Sequence, residues 1–431
     1  MPRTPGRTSL LGRLPAPSLG LAVEAGLLLR VAAADLVEWR VRRGGGNRVC
    51  LLPDAEGYWK LAQTIRDGEI FQIVEWGDIP HFALRTPGYP LFLAACRTVL
   101  GDRPLGARLV QAGLGAACVW LVYRLTRSVI DGEAGRRTAV VAAMLTAVHP
   151  YFVIMSALLL SEAVFTPLLL AFLWALAVLW KRGDVRSSLA PGLGAGLAAG
   201  AATLTRPSCV LFFPAAMGAW AVHQAVARRA VRPAAVGVLV AAAGFAAVMG
   251  PWWVRNQRVY GEFVPTALWM GASLYDGLNP NATGASDMRF LKDPDVWPLG
   301  EQDQDALLKR RAFAFVRDQP ARAAWLALVK LGRYWSPWPN AEGVRSLWLT
   351  VAAGLTMTPL LALTALGLWT LRRDPRTWVL LAGPILYFGM VHAAFASSMR
   401  YRTPGEVPAM GLAAVGILRV GDRASRRAAT G

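Results

Sequence analysis

What most constrains this chain is the spacing of its charges. No charged residue lies between Arg186 and Arg206, and the stretches 207–227, 233–254, 346–371 and 377–399 are likewise uncharged and bounded by arginines. Crossing a hydrocarbon layer of ~30 Å takes about 20 helical residues at ~1.5 Å each, so each stretch has the length of one crossing. Residues 138–180 carry a single charge, Glu162, over enough chain for two crossings. Shorter candidates at 14–37, 105–124 and 403–419 bring the expected total to about ten spans. The first holds Glu24, Arg30 and Asp35 and is the weakest; no small-x-small site marks it for removal as a signal peptide.

Composition agrees with the spacing. The chain is 17% charged and 55% hydrophobic, whereas soluble domains carry about 25% charged residues. The expected fold is therefore an all-α membrane protein, residues 1–431 forming a single polytopic domain whose last spans occupy 345–419.

The arginines orient it. Short basic connectors lie at Arg124–Arg137, Lys181–Arg186, Arg228–Arg232 and Arg372–Arg376, joined by the tail arginines Arg419, Arg423, Arg426 and Arg427 and by Arg3, Arg7 and Arg13. With ten spans all of them share one face, which the positive-inside rule makes cytoplasmic, together with both termini. The net charge of +19 then reads as topology bias and affinity for anionic membrane lipids. Nucleic acid is the poorer explanation, because no basic cluster alternates with aromatics in a soluble module. Arg40, Arg42, Arg43 and Arg48 run against the rule by falling outside. The segment 88–100, GYPLFLAAC onward, is too short to cross and is expected to lie in the outer interface.

Two large segments remain on the outer face, 38–104 and 254–344. In the first, PDAEGYWKLAQTIRDG places Tyr58, Leu61, Ala62 and Ile65 on one helical face. The second opens on GLNPNATG and an acidic stretch, then predicts an interfacial helix over Ala306–Lys330 that ends at SPWPN. Cys50, Cys96, Cys118 and Cys209 have neither zinc nor disulfide spacing, and the four histidines are scattered.

The unusual polar groups gather at the outer ends of the spans: Asp54, Glu56, Arg85, Glu162, Arg206, Arg255, Asn279, Arg400 and Arg402. Ionisable groups at membrane depth are costly and usually functional. Glu162 reads either as a site carboxylate or as an internal ion pair, with an outer-face arginine as its partner in both cases. Arg206, in LTRPS, reads as a site cation or as a side chain snorkelling to the interface. Asp54 can be a helix N-cap with Gly57 at the third position, or a general base beside Glu56, Tyr58 and Trp59. Arg400 and Arg402 flank Tyr401 in MRYRTP, and guanidinium forks suit phosphate.

These motifs together resemble a family. From about Pro53 to Pro408, PDAEGYWKLA, RTPGYPLFLA, LLLSEAVFTPLLL, GLAAGAATLTRPS, PWWVRNQRVYGEFVPT, GLNPNATG and MRYRTPGEVP follow in the order seen in bacterial membrane glycosyltransferases of the GT-C class. The resemblance is to those like protein O-mannosyltransferases and lipid A aminoarabinose transferases. It implies transfer of a sugar from a polyprenyl-phosphate donor to an acceptor (lipid, glycan or protein) on the extracytoplasmic face of a bacterial inner membrane, by single displacement with inversion. It implies an acidic base at Asp54 or Glu56, where relatives carry adjacent acids. It also implies phosphate contacts from Arg85, Arg400 and Arg402; Arg206 is a further phosphate candidate from its place at the outer face, and Tyr58, Glu162, Arg255, Asn279 and Tyr401 are other site candidates there. A divalent cation beside Asp54 and Glu56 is compatible with two carboxylates, although no metal-ligand spacing marks one. The rival class is a lipid or glycolipid transporter without catalysis. Transporters commonly show internal repeats and midplane polar groups, neither of which is visible here.

Overall fold

The computed structural model describes residues 18–44, 50–75, 79–340 and 347–430. Arg3, Arg7, Arg13 and Arg48 lie outside the described residues. Among those described, the regular structure is helical, and the one strand-like contact is an isolated bridge between Ile73 and His81.

Six helices are long and apolar enough to cross a membrane: Pro104–Val129, Glu162–Lys181, Pro207–Ala227, Val231–Tyr260, Thr350–Leu371 and Thr377–Ala394. Gly132–Val148 and Pro150–Ala157 together make a seventh, bent by 53°. The bend follows from His149–Pro150. Proline removes a backbone donor and drives the preceding residue out of the helical region, and His149 sits at φ −61°, ψ 113°. Three other segments read as spans form helices of 25, 21 and 32 residues: Leu19–Arg43, Val185–Thr205 and Met399–Thr430. Charges in the first and last, and glycine and serine in the middle one, hold them below the apolarity of the rest.

Packing uses small residues where backbones must approach. Helix Val185–Thr205 lays Gly192, Gly196 and Gly200 against Val231–Tyr260, and a Cβ on Gly196 would strike the Ala241 carbonyl. Trp180, Trp220, Phe165 and Phe172 fill the core beside it. Outward faces carry exposed apolar side chains such as Leu239 and Leu355, as a lipid-facing surface requires.

The two ends of the bundle differ. At one end the basic connectors knit together: Lys181 pairs with Asp131 at 3.0 Å, Arg376 pairs with Asp374 at 2.7 Å, and Arg376 donates to the Ser128 carbonyl. Glu162–Lys181 runs from the opposite end, so Glu162 opens about 30 Å away. There the two large segments fold over the bundle. The first holds helix Pro53–Arg66, with Leu61 and Ala62 buried and Tyr58 and Ile65 half-buried, and the short helix Gly88–Leu100. The second departs from the expected single helix over Ala306–Lys330. It forms Glu301–Asp318 and Pro320–Tyr334, divided because Pro320 cannot donate within the first helix but suits the start of a second.

The run Arg40, Arg42 and Arg43 closes the first helix. Arg42 pairs with Glu38 at 3.1 Å, and Arg43 lies 4.5 Å over Trp39.

Candidate active site

Glu162 is the anchor of the site. It is the first residue of its helix, 2% exposed, and it follows the break that ends the bent pair. Arg206 reaches it from the end of helix Val185–Thr205. Pro207 holds Arg206 in extended backbone, φ −147°, ψ 103°, and so turns it out of the helix. Its Nη1 lies 3.0 Å from Glu162 Oε1 and donates to Ser161 Oγ at 3.2 Å. Arg400, in the first turn of the last helix, donates Nε to the same Oε1 at 2.5 Å. One buried carboxylate therefore fixes two guanidiniums.

Arg400 then reaches outward. Its Nη1 donates to Asp54 Oδ2 at 3.0 Å. Asp54 is half-exposed, with 48% of its side chain open to solvent. It is not an N-cap: Leu52 holds that position, and Asp54 stands in the first turn of helix Pro53–Arg66. Tyr401 lies between the two arginines, 5.9 Å from Arg206 and 5.8 Å from Arg400, and stacks on His392 at 4.3 Å.

Arg85 forms the near wall. Its Nη2 pairs with Glu75 at 3.0 Å, and its guanidinium lies 4.5 Å over the Tyr58 ring. Burial works against its charge, but Tyr58, Glu75 and Asp54 outweigh this and raise its pKa above the usual arginine range. A guanidinium carries five donors. Arg85, Arg206 and Arg400 each keep donors beyond those used here, so the cluster can still receive an anion.

The wall depends on one close approach. Gly88 opens helix Gly88–Leu100 directly against the Leu204 and Thr205 backbone, where a Cβ would come to 2.6 Å from a carbonyl oxygen. That contact joins the first outer segment to the helix that presents Arg206.

Residues 84–254 match the family model described as dolichyl-phosphate-mannose-protein mannosyltransferase. Among solved structures, the archaeal oligosaccharyltransferase AglB from Archaeoglobus fulgidus, in complex with an inhibitory peptide and a dolichol-phosphate, superposes with TM-score 0.59 at 15% identity, covering 96% of this chain and 51% of that one. The apo form of the Archaeoglobus fulgidus oligosaccharyltransferase gives TM-score 0.60 at 15% identity, covering 98% and 52%. The chain has the GT-C glycosyltransferase fold. It spans about half the length of these archaeal GT-C proteins. ArnT from Cupriavidus metallidurans, bound to undecaprenyl phosphate, aligns more loosely, with TM-score 0.44 at 16% identity over 92% of this chain and 77% of that one. No curated protein sequence matches the chain.

Within this GT-C fold the expected site residues divide into two groups. Asp54, Tyr58, Arg85, Glu162, Arg206, Arg400 and Tyr401 come together. Arg206 does not snorkel, and Glu162 is an ion-pair centre. Glu56 turns aside and accepts the Cys50 N–H at 2.6 Å. Arg402 is fully buried, paired with Glu406 at 3.0 Å, and donates to the Tyr334 and Ser336 carbonyls. It ties the last helix to the second outer segment and does not join the cluster. Arg255 likewise donates to the Phe71 carbonyl at 3.0 Å and lies 4.9 Å over Trp252. Asn279 is a buried turn residue that bonds the Tyr275 carbonyl and the Asn281 N–H. Glu75, Ser161 and His392 belong to the site and carried no sequence signal. Among the described residues no group of three or more His, Cys, Asp or Glu is placed to hold a metal ion.

Proposed function

We propose that this chain is a membrane glycosyltransferase that moves a sugar from a polyprenyl-phosphate-linked donor to an acceptor nucleophile. The observation that carries the reading is Asp54, a half-exposed carboxylate bridged by Arg400, whose guanidinium is fixed with that of Arg206 on buried Glu162. The family description and the dolichol-phosphate of the AglB complex support a lipid-phosphate donor.

The chemistry follows from the geometry. A donor phosphate entering the cluster takes up the free donors of Arg85, Arg206 and Arg400. Arg400 Nη1 then exchanges Asp54 for the phosphate and releases the carboxylate to act as a base. Asp54 accepts the proton of the acceptor hydroxyl or amine as that group attacks the anomeric carbon. The bond to phosphate breaks, the configuration inverts, and polyprenyl phosphate departs with its charge held by the arginines. A positioned base contributes about 10²–10⁴ in rate, and one aimed charge-stabilising donor about 10²–10³. The prenyl tail supplies binding at about 0.8 kcal/mol per buried CH₂.

The site lies at the end of the bundle opposite the basic connectors. The positive-inside rule then puts it on the extracytoplasmic face of a multi-pass protein, which the arginine, alanine and glycine richness assigns to a bacterial inner membrane. The described residues of the segments 38–104 and 254–344 form its roof.

The test supplies purified protein in nanodiscs with a panel of polyprenyl-phosphate sugars and compares wild type with Asp54→Asn. Polyprenyl phosphate released by wild type alone establishes transfer and its base. Equal release from both moves the base to another carboxylate. Tight lipid binding without release from any donor favours a transporter.

A further inference from the structure

Below Glu162 the bundle holds a partly open cavity of about 40 Å³ lined by Arg30, Cys118, Thr146, Glu162, Thr166 and Thr403, among others. Roughly 15 Å³ of such space takes one water, so the cavity has room for a small ion or about two waters. Arg30 is 2% exposed, midway along the first helix. Its Nη1 donates to the Gly26 and Ala147 carbonyls at 2.9 and 3.0 Å, and its Nη2 to the Thr146 carbonyl at 3.0 Å. Its Nε has no partner among the described residues, and neither has the Thr403 hydroxyl, itself 4% exposed.

Among the described residues Arg30 has no ion-pair partner. Arg30 bonds only carbonyl oxygens, and the nearby carboxylate, Glu162, is already shared between Arg206 and Arg400. A buried cation at membrane depth without a counter-charge is among the costliest arrangements a protein can hold. Water in the cavity would satisfy the N–H and leave the charge uncompensated. A monatomic anion satisfies the volume, the charge and both orphan donors together.

We infer that this cavity is a halide site, chloride being held between Arg30 Nε and Thr403 Oγ1. The site lies within the bundle, beneath the Glu162 cluster, and its occupancy does not depend on the chemistry proposed above. An anion that binds the folded chain raises its stability in a saturable way.

The experiment melts the full chain, purified in detergent, at constant ionic strength with chloride, bromide or gluconate. The unfolding midpoint rises and saturates with either halide and does not move with gluconate. Thr403→Val keeps the volume and removes one donor, weakening the apparent halide affinity about threefold or more, as a lost hydrogen bond does. Arg30→Gln abolishes the halide response. Crystals grown in bromide show an anomalous peak beside Arg30 Nε. Equal midpoints in chloride and gluconate, or a cavity without anomalous signal, overturn the assignment. A halide response that both variants keep in full also overturns it, because it is then a general salt effect.

Discussion

Arg400 donates its Nε to Glu162 at 2.5 Å across 238 positions of sequence, and with its other edge it holds Asp54 at 3.0 Å. A single side chain thus joins the buried carboxylate that anchors the cluster to the open one proposed as the base. The division of labour between these carboxylates sets the first predictions.

Asp54→Asn keeps the shape of the open carboxylate and removes its basicity. Turnover falls by about 10²–10⁴, the range of a general base, while the melting midpoint stays near that of wild type. Polyprenyl-phosphate release and circular dichroism melting on the same preparation separate the two effects.

Glu162→Leu acts on stability. It leaves two guanidiniums without their shared partner, and removing one side of a buried ion pair costs about 3–5 kcal/mol. Thermal unfolding in detergent reports the loss. Donor affinity falls too, since Arg206 and Arg400 are no longer aimed.

Arg400 and Arg402 should separate cleanly. Arg400→Gln loses turnover at every temperature. Arg402→Met strands Glu406 and destabilises the fold, yet what remains folded at low temperature turns over normally. Adding Glu406→Leu to Arg402→Met restores the melting midpoint, because a buried pair replaced by apolar side chains of similar volume is often neutral or better.

Gly88→Ala presses a methyl group on the Leu204–Thr205 backbone. Overpacking of this kind costs about 1–3 kcal/mol. The midpoint falls, and turnover falls further than the folded fraction does, since Arg206 moves with that backbone.

Lys330 gives a pH dependence. It is fully buried in helix Pro320–Tyr334, and its ammonium donates to the Gly277 and Ala394 carbonyls. Burial pushes its pKa down from 10.5 to about 8, against the pull of Asp276. The folded value is the lower one, so between about pH 8 and 10.5 the unfolded chain binds the extra proton. Stability from this group therefore rises with pH across that window and is flat below it. Lys330→Met removes the slope, and melting curves taken from pH 7 to about 10 check the sign.

Much of this was legible in the sequence, for identifiable reasons. Uncharged stretches bounded by arginines are long-range signals, and they located the helices and the end of the bundle that holds the site. Asp54, Glu162, Arg206 and Arg400 stood out because charge is rare in such a background. Arg402 is expected from the sequence to join Arg400 on a phosphate because the candidate final span, 403–419, leaves RYR outside it. The helix already begins at Met399, and side chains two apart on a helix point about 200° away from each other. Arg400 turns to Glu162 and Arg402 to Glu406. Glu75 and Ser161 gave no signal, being ordinary polar residues at breaks whose partners are set by tertiary contact alone. The division at Pro320 was visible as a proline within a helical pattern and was passed over.

The order of synthesis gives the Arg400 contacts a further meaning. Helices enter a membrane in chain order, and Asp54 and Glu162 are in place long before the segment carrying Arg400 leaves the ribosome. Until it arrives, Arg206 holds Glu162 without its second cation, and Asp54 lacks its ion pair with Arg400. The last helix therefore acts as the keystone of the ion-pair cluster: a chain halted before it presents the earlier helices and outer segments without the cation that joins Glu162 to Asp54. On the proposed function, a nascent chain lacks one of the arginines that would hold the donor phosphate until its insertion is complete.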